Sequence, residues 1–313
     1  MWQYIVRKAF AAIPVLLGAS LLAFLILQLA PGDPARLVAG EQASEDDVEL
    51  IRQRLGLDRP LHIQYLRFLQ SVAAGDLGRS IRTGRAVRDE ITARFPYTME
   101  LAIASLLLSV TLGVIAGVLA AVRPNTVYDY GATLIALTGI STPTFWLGLL
   151  LMLLFAYYLG WLPASGRGGP LWTVAGLASI IMPAIALGTP SAAIISRLTR
   201  SSLLEVLRQD YVRTARSKGL AERVVVLHHS LRNALIPVIT VVGLRLGALL
   251  GGAVITEQVF SWPGMGTLIV TAISSRDYPT VQGAMLVVAT VFVLVNLAVD
   301  LIYAAVDPRI RYE

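Results

Sequence analysis

Six apolar stretches punctuate the chain, and the polar segments between them differ in kind. Residues 9–30 run for 22 positions without a charged side chain. At about 1.5 Å per helical residue, that length crosses a hydrocarbon core of about 30 Å. Residues 97–122, 130–159, 174–195, 235–256 and 281–306 repeat the pattern. The first run follows Arg7 and Lys8, as a signal peptide would, but exceeds the 7–15 apolar residues typical of one and stops at Pro31-Gly32-Asp33-Pro34. It reads as an uncleaved first span. Gly113 and Gly117 in the second span, with Gly243, Gly247 and Gly251 in the fifth, predict close helix–helix approach. Pro143 and Pro183 fall inside spans and predict kinks, while Trp146, Trp161, Trp172 and Trp262 near span ends predict interface anchors.

Two polar segments carry their own patterns. In the insert 31–96, Ser44 with Asp47 predicts a helix start, Val48, Ile51 and Leu55 share a face, and Gly56 closes the helix. Pro60 opens a second amphipathic helix through Tyr65, Phe68 and Leu69 to about Ala73, stopped by Gly75. The second segment, 197–234, is charged. Leu204, Leu207, Tyr211 and Ala215 recur at three- and four-residue steps, so the spacing predicts one continuous helix with Arg208, Arg213, Arg216 and Lys218 on its other side. Gly219 follows the last basic turn, where a left-handed residue ends helices, and a second amphipathic run covers 222–232. The pattern is helix, glycine-pivoted turn, helix. Taken alone, such a basic amphipathic helix also suits a resting place on anionic lipid headgroups.

Composition agrees with a bilayer. The 313 residues are 56% hydrophobic and 15% charged, against roughly 25% charged in soluble domains. The absence of cysteine excludes disulfides, thiolate metal sites and cysteine nucleophiles. A formal charge of +6 would suit nucleic acid, yet its placement argues for topology instead. Six spans put both termini on one side. Thirteen basic residues lie there, eight of them between Arg197 and Arg232, whereas the short opposite loops carry only Arg167 and Arg276. The ten arginines of the long insert weigh little, because long loops hardly influence orientation. Both termini and the charged segment are therefore expected in the cytoplasm, and the insert outside.

Candidate chemistry is sparse. No G-x-x-x-x-G-K-[ST] phosphate loop occurs, so no Walker A nucleotide site is expected in this chain. His62 lies in an amphipathic helix, and His228 and His229 are adjacent, about 100° apart on a helix, which is poor geometry for one metal. The acids Glu45, Asp46, Asp47 and Glu49 lack EF-hand spacing and suit a helix N-terminus. An intramembrane protease would need a buried Ser-His or Asp-Asp pair, and only Arg245 and Asp300 place charge well inside a span. No catalytic, cofactor or metal residue is assigned. Arg245 costs at least ~2.5 kcal/mol at mid-bilayer, so it is expected to face an acid on a partner helix or a wet translocation path.

The segment TARSKG, then LRNALIP, resembles the "EAA" loop by which ABC-importer permeases dock their ATPases. Thr214 and Ala215 stand near the Glu-Ala-Ala positions, Gly219 matches, and Leu231-Arg232 replaces the usual Leu-Pro. APGDPARLV, LGLDRPLHIQYLRFL, GDLGRSIRTGRAV, STPTFWLGLLLMLLFAYYLGWLPASG, GALLGGAVITEQVFSWPGMG and DPRIR extend the likeness over essentially the whole chain. It resembles the permease subunits of dipeptide, oligopeptide and nickel ABC importers. The resemblance implies an all-α membrane protein with six transmembrane helices of the type I ABC-importer permease fold. Its parts would be a tail and first helix (1–30), an extracytoplasmic helical insert (31–96) and the permease core (97–313) with its coupling loop 197–234. The loop residues Tyr211, Ala215, Arg216, Lys218, Gly219 and Glu222 would couple to the ATPase, with Ala215 and Gly219 allowing close approach. The implied partners are a second homologous permease, two cytoplasmic ATPases that bind ATP and magnesium, and an extracytoplasmic substrate-binding protein. No nucleic acid is implied. Short peptides are the expected cargo, with nickel chelates, glutathione or another small solute as alternatives. A stand-alone channel or secondary transporter, or a membrane scaffold without transport, are the readings from other classes.

Overall fold

A computed structural model describes residues 2–29, 34–39 and 43–306. The helices in order are α1 (Trp2–Leu29), α2 (Pro34–Ala39), α3 (Glu45–Leu55), α4 (Leu61–Ala73), α5 (Val87–Val122), α6 (Val127–Ser141) and α7 (Thr144–Leu151). They continue with α8 (Val174–Val206), α9 (Asp210–Ser217), α10 (Glu222–Val224), α11 (Leu231–Ala234), α12 (Ile236–Val259), α13 (Met265–Ser274) and α14 (Tyr278–Val306). The chain divides into two compact units, Met1–Pro96 with Gly264–Leu294 and Tyr97–Pro263 with Val295–Glu313.

In the first unit, the caps of the insert follow its sequence. The Ser44 hydroxyl accepts the Asp47 N–H at 3.2 Å, and Gly56 closes α3 in the left-handed region at φ 69°. Three acids in the first turn of α3 answer the helix dipole. The amphipathic α4 lays its aromatic side on α1. Tyr65 OH lies 2.8 Å from Ser20 Oγ, and the Phe24 ring centroid is 5.4 Å from that of Tyr65 and 6.1 Å from that of Phe68. A second core joins Val87 and Ile91 to Met265, Leu268 and Ala284. Burial of Val87 and Ile91 explains why α5 begins at Val87, ten residues before the apolar span expected from 97, with Asp89 and Glu90 in its first turn.

In the second unit, the expected third span is not one kinked helix. It breaks at Thr142-Pro143 into α6 and α7, bent by 108°. Both residues adopt extended backbone, ψ 123° and 134°, as a residue before proline and a helix-opening proline favour. Beyond α7 the chain continues as a π-helical turn, Met152–Tyr158. By contrast α8 runs unbroken through Pro183 and Pro190 and extends past the expected end at 195 to Val206. Gly113 and Gly117 explain the tight α5–α8 contact. A Cβ at Gly113 would lie 2.7 Å from the Ala192 carbonyl, and one at Gly117 2.6 Å from that of Ser196. Gly243 likewise abuts Val299, but Gly251 meets nothing within 4 Å, so it is not a packing glycine within this chain. Trp146, Trp161 and Trp172 are exposed as interface anchors would be. Trp262 is not: it is fully buried and donates its indole N–H to the Tyr97 carbonyl at 2.8 Å.

Four described helices, Val87–Val122, Val174–Val206, Ile236–Val259 and Tyr278–Val299, are long and apolar enough to cross a membrane, and there are five if the bent pair counts as one span. The first span expected from the sequence corresponds to α1, whose described apolar part is Phe10–Leu25.

Candidate functional site

The charged segment folds as an elbow on the end of α8. The single helix expected from Leu204 to Ala215 is instead two, because Gln209 takes extended backbone (ψ 149°) and α9 restarts at Asp210. The break lets two apolar faces close on each other. Val212, Ala215 and Val225 form one buried cluster with Val206 and Leu207 packed against it. Ala121, Leu203, Val226 and Ala234 form another, which ties the elbow to the end of α5. Ala215 is only 8% exposed, so within the chain it serves the elbow's interior.

Gly219 makes the turn. Its φ of 77° is open to glycine and strained for most L-residues, and a Cβ there would meet nothing within 4 Å. Arg216 and Glu222 span this turn with two parallel hydrogen bonds, Nε to Oε2 at 3.1 Å and Nη2 to Oε1 at 2.7 Å. That pairing holds the Glu222 carboxyl below the usual carboxylate range, against a smaller opposing effect of burial. Farther along, the run 222–232 is not one α-helix. It passes from α10 through a π-helical turn, Val225–Ser230, to α11, and the Ser230 hydroxyl donates to the Val225 carbonyl at 2.9 Å. Tyr211 is exposed, with its hydroxyl accepting from Asn233 Nδ2 at 2.8 Å.

What the elbow presents outward is as informative as what it buries. Leu220 in the turn, Val224 at the end of α10 and Leu227 in the π-helical turn are all exposed, as are the basic residues Lys218 and Arg223. The outward side of the elbow thus carries exposed apolar and cationic side chains. Its base is fixed by Arg200, which grips the buried Asp129 bidentately, Nε to Oδ1 at 2.6 Å and Nη2 to Oδ2 at 2.7 Å. Asp129 also accepts the Asn125 N–H at 2.9 Å.

A second polar group lies near the far end of the spans of this unit. Glu257, 0% exposed, accepts from Thr98 Oγ1 at 2.6 Å. Arg167 pairs bidentately with Glu100, both bonds 3.0 Å, and its guanidinium stands 4.5 Å over the Tyr97 ring. Glu257 had no signal in the sequence reading, because the fifth apolar run ends one residue before it. Arg245 is half-buried in α12 and has no acidic partner among the described residues. The side chain of Asp300 and the terminal DPRIR segment lie outside the described residues. Among the described residues no three His, Asp or Glu side chains gather where a metal could sit.

Residues 113–312 match the family model "Binding-protein-dependent transport system inner membrane component", and residues 1–102 match the model of the corresponding N-terminal part. The chain belongs to this family. It is a multi-pass inner-membrane component of a binding-protein-dependent transport system. Among relatives of this permease, the dipeptide transport system permease protein DppB of Alkalihalophilus pseudofirmus is 46% identical over 333 residues, covering 100% of both chains. The di/tripeptide transport system permease protein DppB of Pseudomonas aeruginosa is 44% identical over 335 residues, again covering 100% of both. The glutathione transport system permease protein GsiC of Salmonella paratyphi A is 46% identical over 313 residues with the same full coverage. Among solved structures, an inward-facing MetNI methionine ABC transporter chain aligns at TM-score 0.58 and 18% identity, covering 70% of this permease and 96% of that chain. That likeness establishes the fold.

Proposed function

We propose that this chain is the membrane-spanning subunit of an ATP-driven importer that carries short peptides into the cytoplasm. The observation that carries the reading is the elbow 197–234. It is an ordered, cationic, partly apolar surface, and it belongs to a chain with no phosphate-binding loop of its own. Separate ATPase subunits bind ATP and magnesium and seat on the exposed Leu220, Val224 and Leu227. Tyr211, Arg216, Lys218, Gly219 and Glu222 shape that seat, and Ala215 keeps its two helices together. The charge distribution supports cytoplasmic termini and elbow, with the insert 31–96 outside as the platform on which a substrate-binding protein sits. A second homologous permease completes the pore. Arg245, a half-buried cation without an acidic partner among the described residues, lines the path and meets a carboxylate of the cargo.

The cargo follows from the relatives. Two are named for dipeptide and di/tripeptide transport and one for glutathione transport, at nearly equal identity. Short peptides cover all three names, since glutathione is itself a small peptide-like carboxylate. The test is reconstitution. Vesicles holding this chain with its co-purifying ATPase, second permease and binding protein accumulate labelled dipeptide only with ATP. Accumulation against a gradient by this chain alone would overturn the reading.

A further inference from the structure

The first unit contains a cleft of about 530 Å³ that the proposed transport cycle has not used. Its rim is a tight loop, its wall is the first turns of α5, and its floor is α13. Arg82, Arg85 and Arg94 line it together with Glu90, Asp277 and the hydroxyls of Ser80, Thr83, Thr271, Ser275 and Thr280, over apolar Leu268 and Ala272.

The charges in this cleft do not cancel internally. Asp277 is 4% exposed and already satisfied by three donors: Ser80 Oγ at 2.5 Å, the Ile81 N–H at 3.1 Å and Thr280 Oγ1 at 2.8 Å. Its charge is held by neutral donors and does not pair with the arginines. Glu90 accepts from Thr83 Oγ1 at 3.2 Å and reaches Arg94 only at 4.0 Å. Arg82 and Arg85 are exposed and have no carboxylate partner among the described residues. Two unanswered guanidiniums in a concave site make an anion-seeking surface, and planar guanidinium is matched to carboxylate geometry.

The loop is also preorganised. Arg79 and Ala86 form an antiparallel bridge, the Ser80 N–H donates to the Arg85 carbonyl at 2.9 Å, and the Gly84 N–H returns to the Ser80 carbonyl at 2.9 Å. The Thr83 N–H donates to Ser80 Oγ at 3.0 Å, and Gly84 sits at φ 69°. The backbone carrying both arginines is therefore fixed before any ligand arrives, which lowers the ordering cost of binding. The volume is that of a small-molecule site, within the roughly 300–1,000 Å³ such sites occupy.

We infer that this cleft is a binding site for the carboxylate of a small solute, with Arg82 and Arg85 taking the carboxylate and Glu90 offering an acceptor to a nearby ammonium. A short peptide with a free C-terminus has both groups. The assignment of the solute as a peptide rests on the import reading above, and the orientation there places the cleft on the outer side. The carboxylate chemistry rests on the cleft alone.

Arginine-selective labelling tests this without transport. The full chain in lipid nanodiscs is treated with phenylglyoxal, and modification is followed by mass spectrometry at Arg82, at Arg85 and at exposed Arg59, which lies outside the cleft. Probes are dialanine, dialaninamide and acetate. Expected is slower labelling of Arg82 and Arg85 with dialanine than with dialaninamide at equal, sub-saturating concentration, half-protection needing about tenfold less dialanine if a bidentate contact of ~1.4 kcal/mol is made. Arg59 should be unaffected. Protection by acetate equal to that by dialanine would confirm the carboxylate site and remove the part assigned to Glu90, which Glu90→Gln checks independently. Equal labelling with dialanine and dialaninamide, or equal protection at Arg59, overturns the inference. Neither result touches the import reading, whose failure would show in vesicle uptake.

Discussion

Arg200 and Asp129 lie 71 positions apart in sequence and meet through two hydrogen bonds of 2.6 and 2.7 Å. Asp129 is 3% exposed and Arg200 33%, so the pair is half sunk rather than a surface contact. Removing one partner of a fully buried pair costs roughly 3–5 kcal/mol, and the exposure of Arg200 moves the expectation to or below the lower end. Arg200→Ala should lower the melting temperature of the purified chain clearly, and Arg200→Lys, which cannot make the bidentate fork, should recover only part of the loss. A melting temperature unchanged in both variants would show that the clamp does not hold the base of the elbow.

The ion pair across the Gly219 turn should behave differently. Arg216 and Glu222 are 40% and 55% exposed, so their pairing contributes about 0.2–1 kcal/mol. Because the hydrogen bonds from Arg216 depress the Glu222 pKa, this contribution is fully present above the ordinary glutamate value near 4.3 and fades as pH falls through the lowered one. Hydrogen exchange at residues 216–222 should therefore show extra loss of protection only on acidification below about pH 4.3. Glu222→Gln should flatten that dependence while leaving exchange near neutrality modestly faster.

Gly219 separates conformational strain from contact. Its left-handed backbone disfavours a side chain by roughly 1–2 kcal/mol, least for asparagine, yet the space around it is open. Gly219→Asn should keep both the fold and coupled uptake. Gly219→Leu should leave the chain folded but let the assembled transporter hydrolyse ATP without proportionate uptake. Normal coupling in the leucine variant would remove Gly219 from the ATPase seat.

Gly117 is the opposite case. There a Cβ would meet the Ser196 carbonyl at 2.6 Å and Thr199 Cβ at the same distance. Gly117→Ala should destabilise the α5–α8 contact by about 1–3 kcal/mol, as overpacking does. Gly131→Ala, where nothing lies within 4 Å, should be neutral or gain up to ~1 kcal/mol from helix propensity. Melting curves of the two variants, side by side, decide it.

Thr98 and Glu257 offer a test at the end of the spans. Thr98→Val removes one hydrogen bond from a fully buried carboxylate, and a hydrogen bond to a charged group contributes about 1.5–3 kcal/mol. Adding Glu257→Leu to Thr98→Val should cost less than the sum of the two single changes. Additive losses would mean that the two residues act independently.

Local chemistry was readable in the sequence, and pairing across distance was not. Ser44, Gly56 and Gly219 act through backbone within a few residues of themselves, so their capping and turning roles were visible in order. The apolar runs marked the spans for the same reason. Pro143 showed that something would bend, but the 108° break depends on how α6 and α7 each pack, which no local rule states. The elbow's continuous three-to-four periodicity concealed a break at Gln209, because the pattern continues in register on the next helix. Glu257 and Trp262 escaped because they find their partners 159 and 165 positions away, at Thr98 and Tyr97. Burial turned residues that look like end-of-span punctuation into core.

The unbroken run of α8 through two prolines has a mechanical meaning. Its 33 residues measure about 50 Å at the helical rise, while a bilayer core is about 30 Å thick. The surplus is an overhang rigidly continuous with the buried shaft. A small tilt of that shaft among its neighbours is therefore delivered at the overhanging tip as a larger sideways sweep, with no joint in between to absorb it.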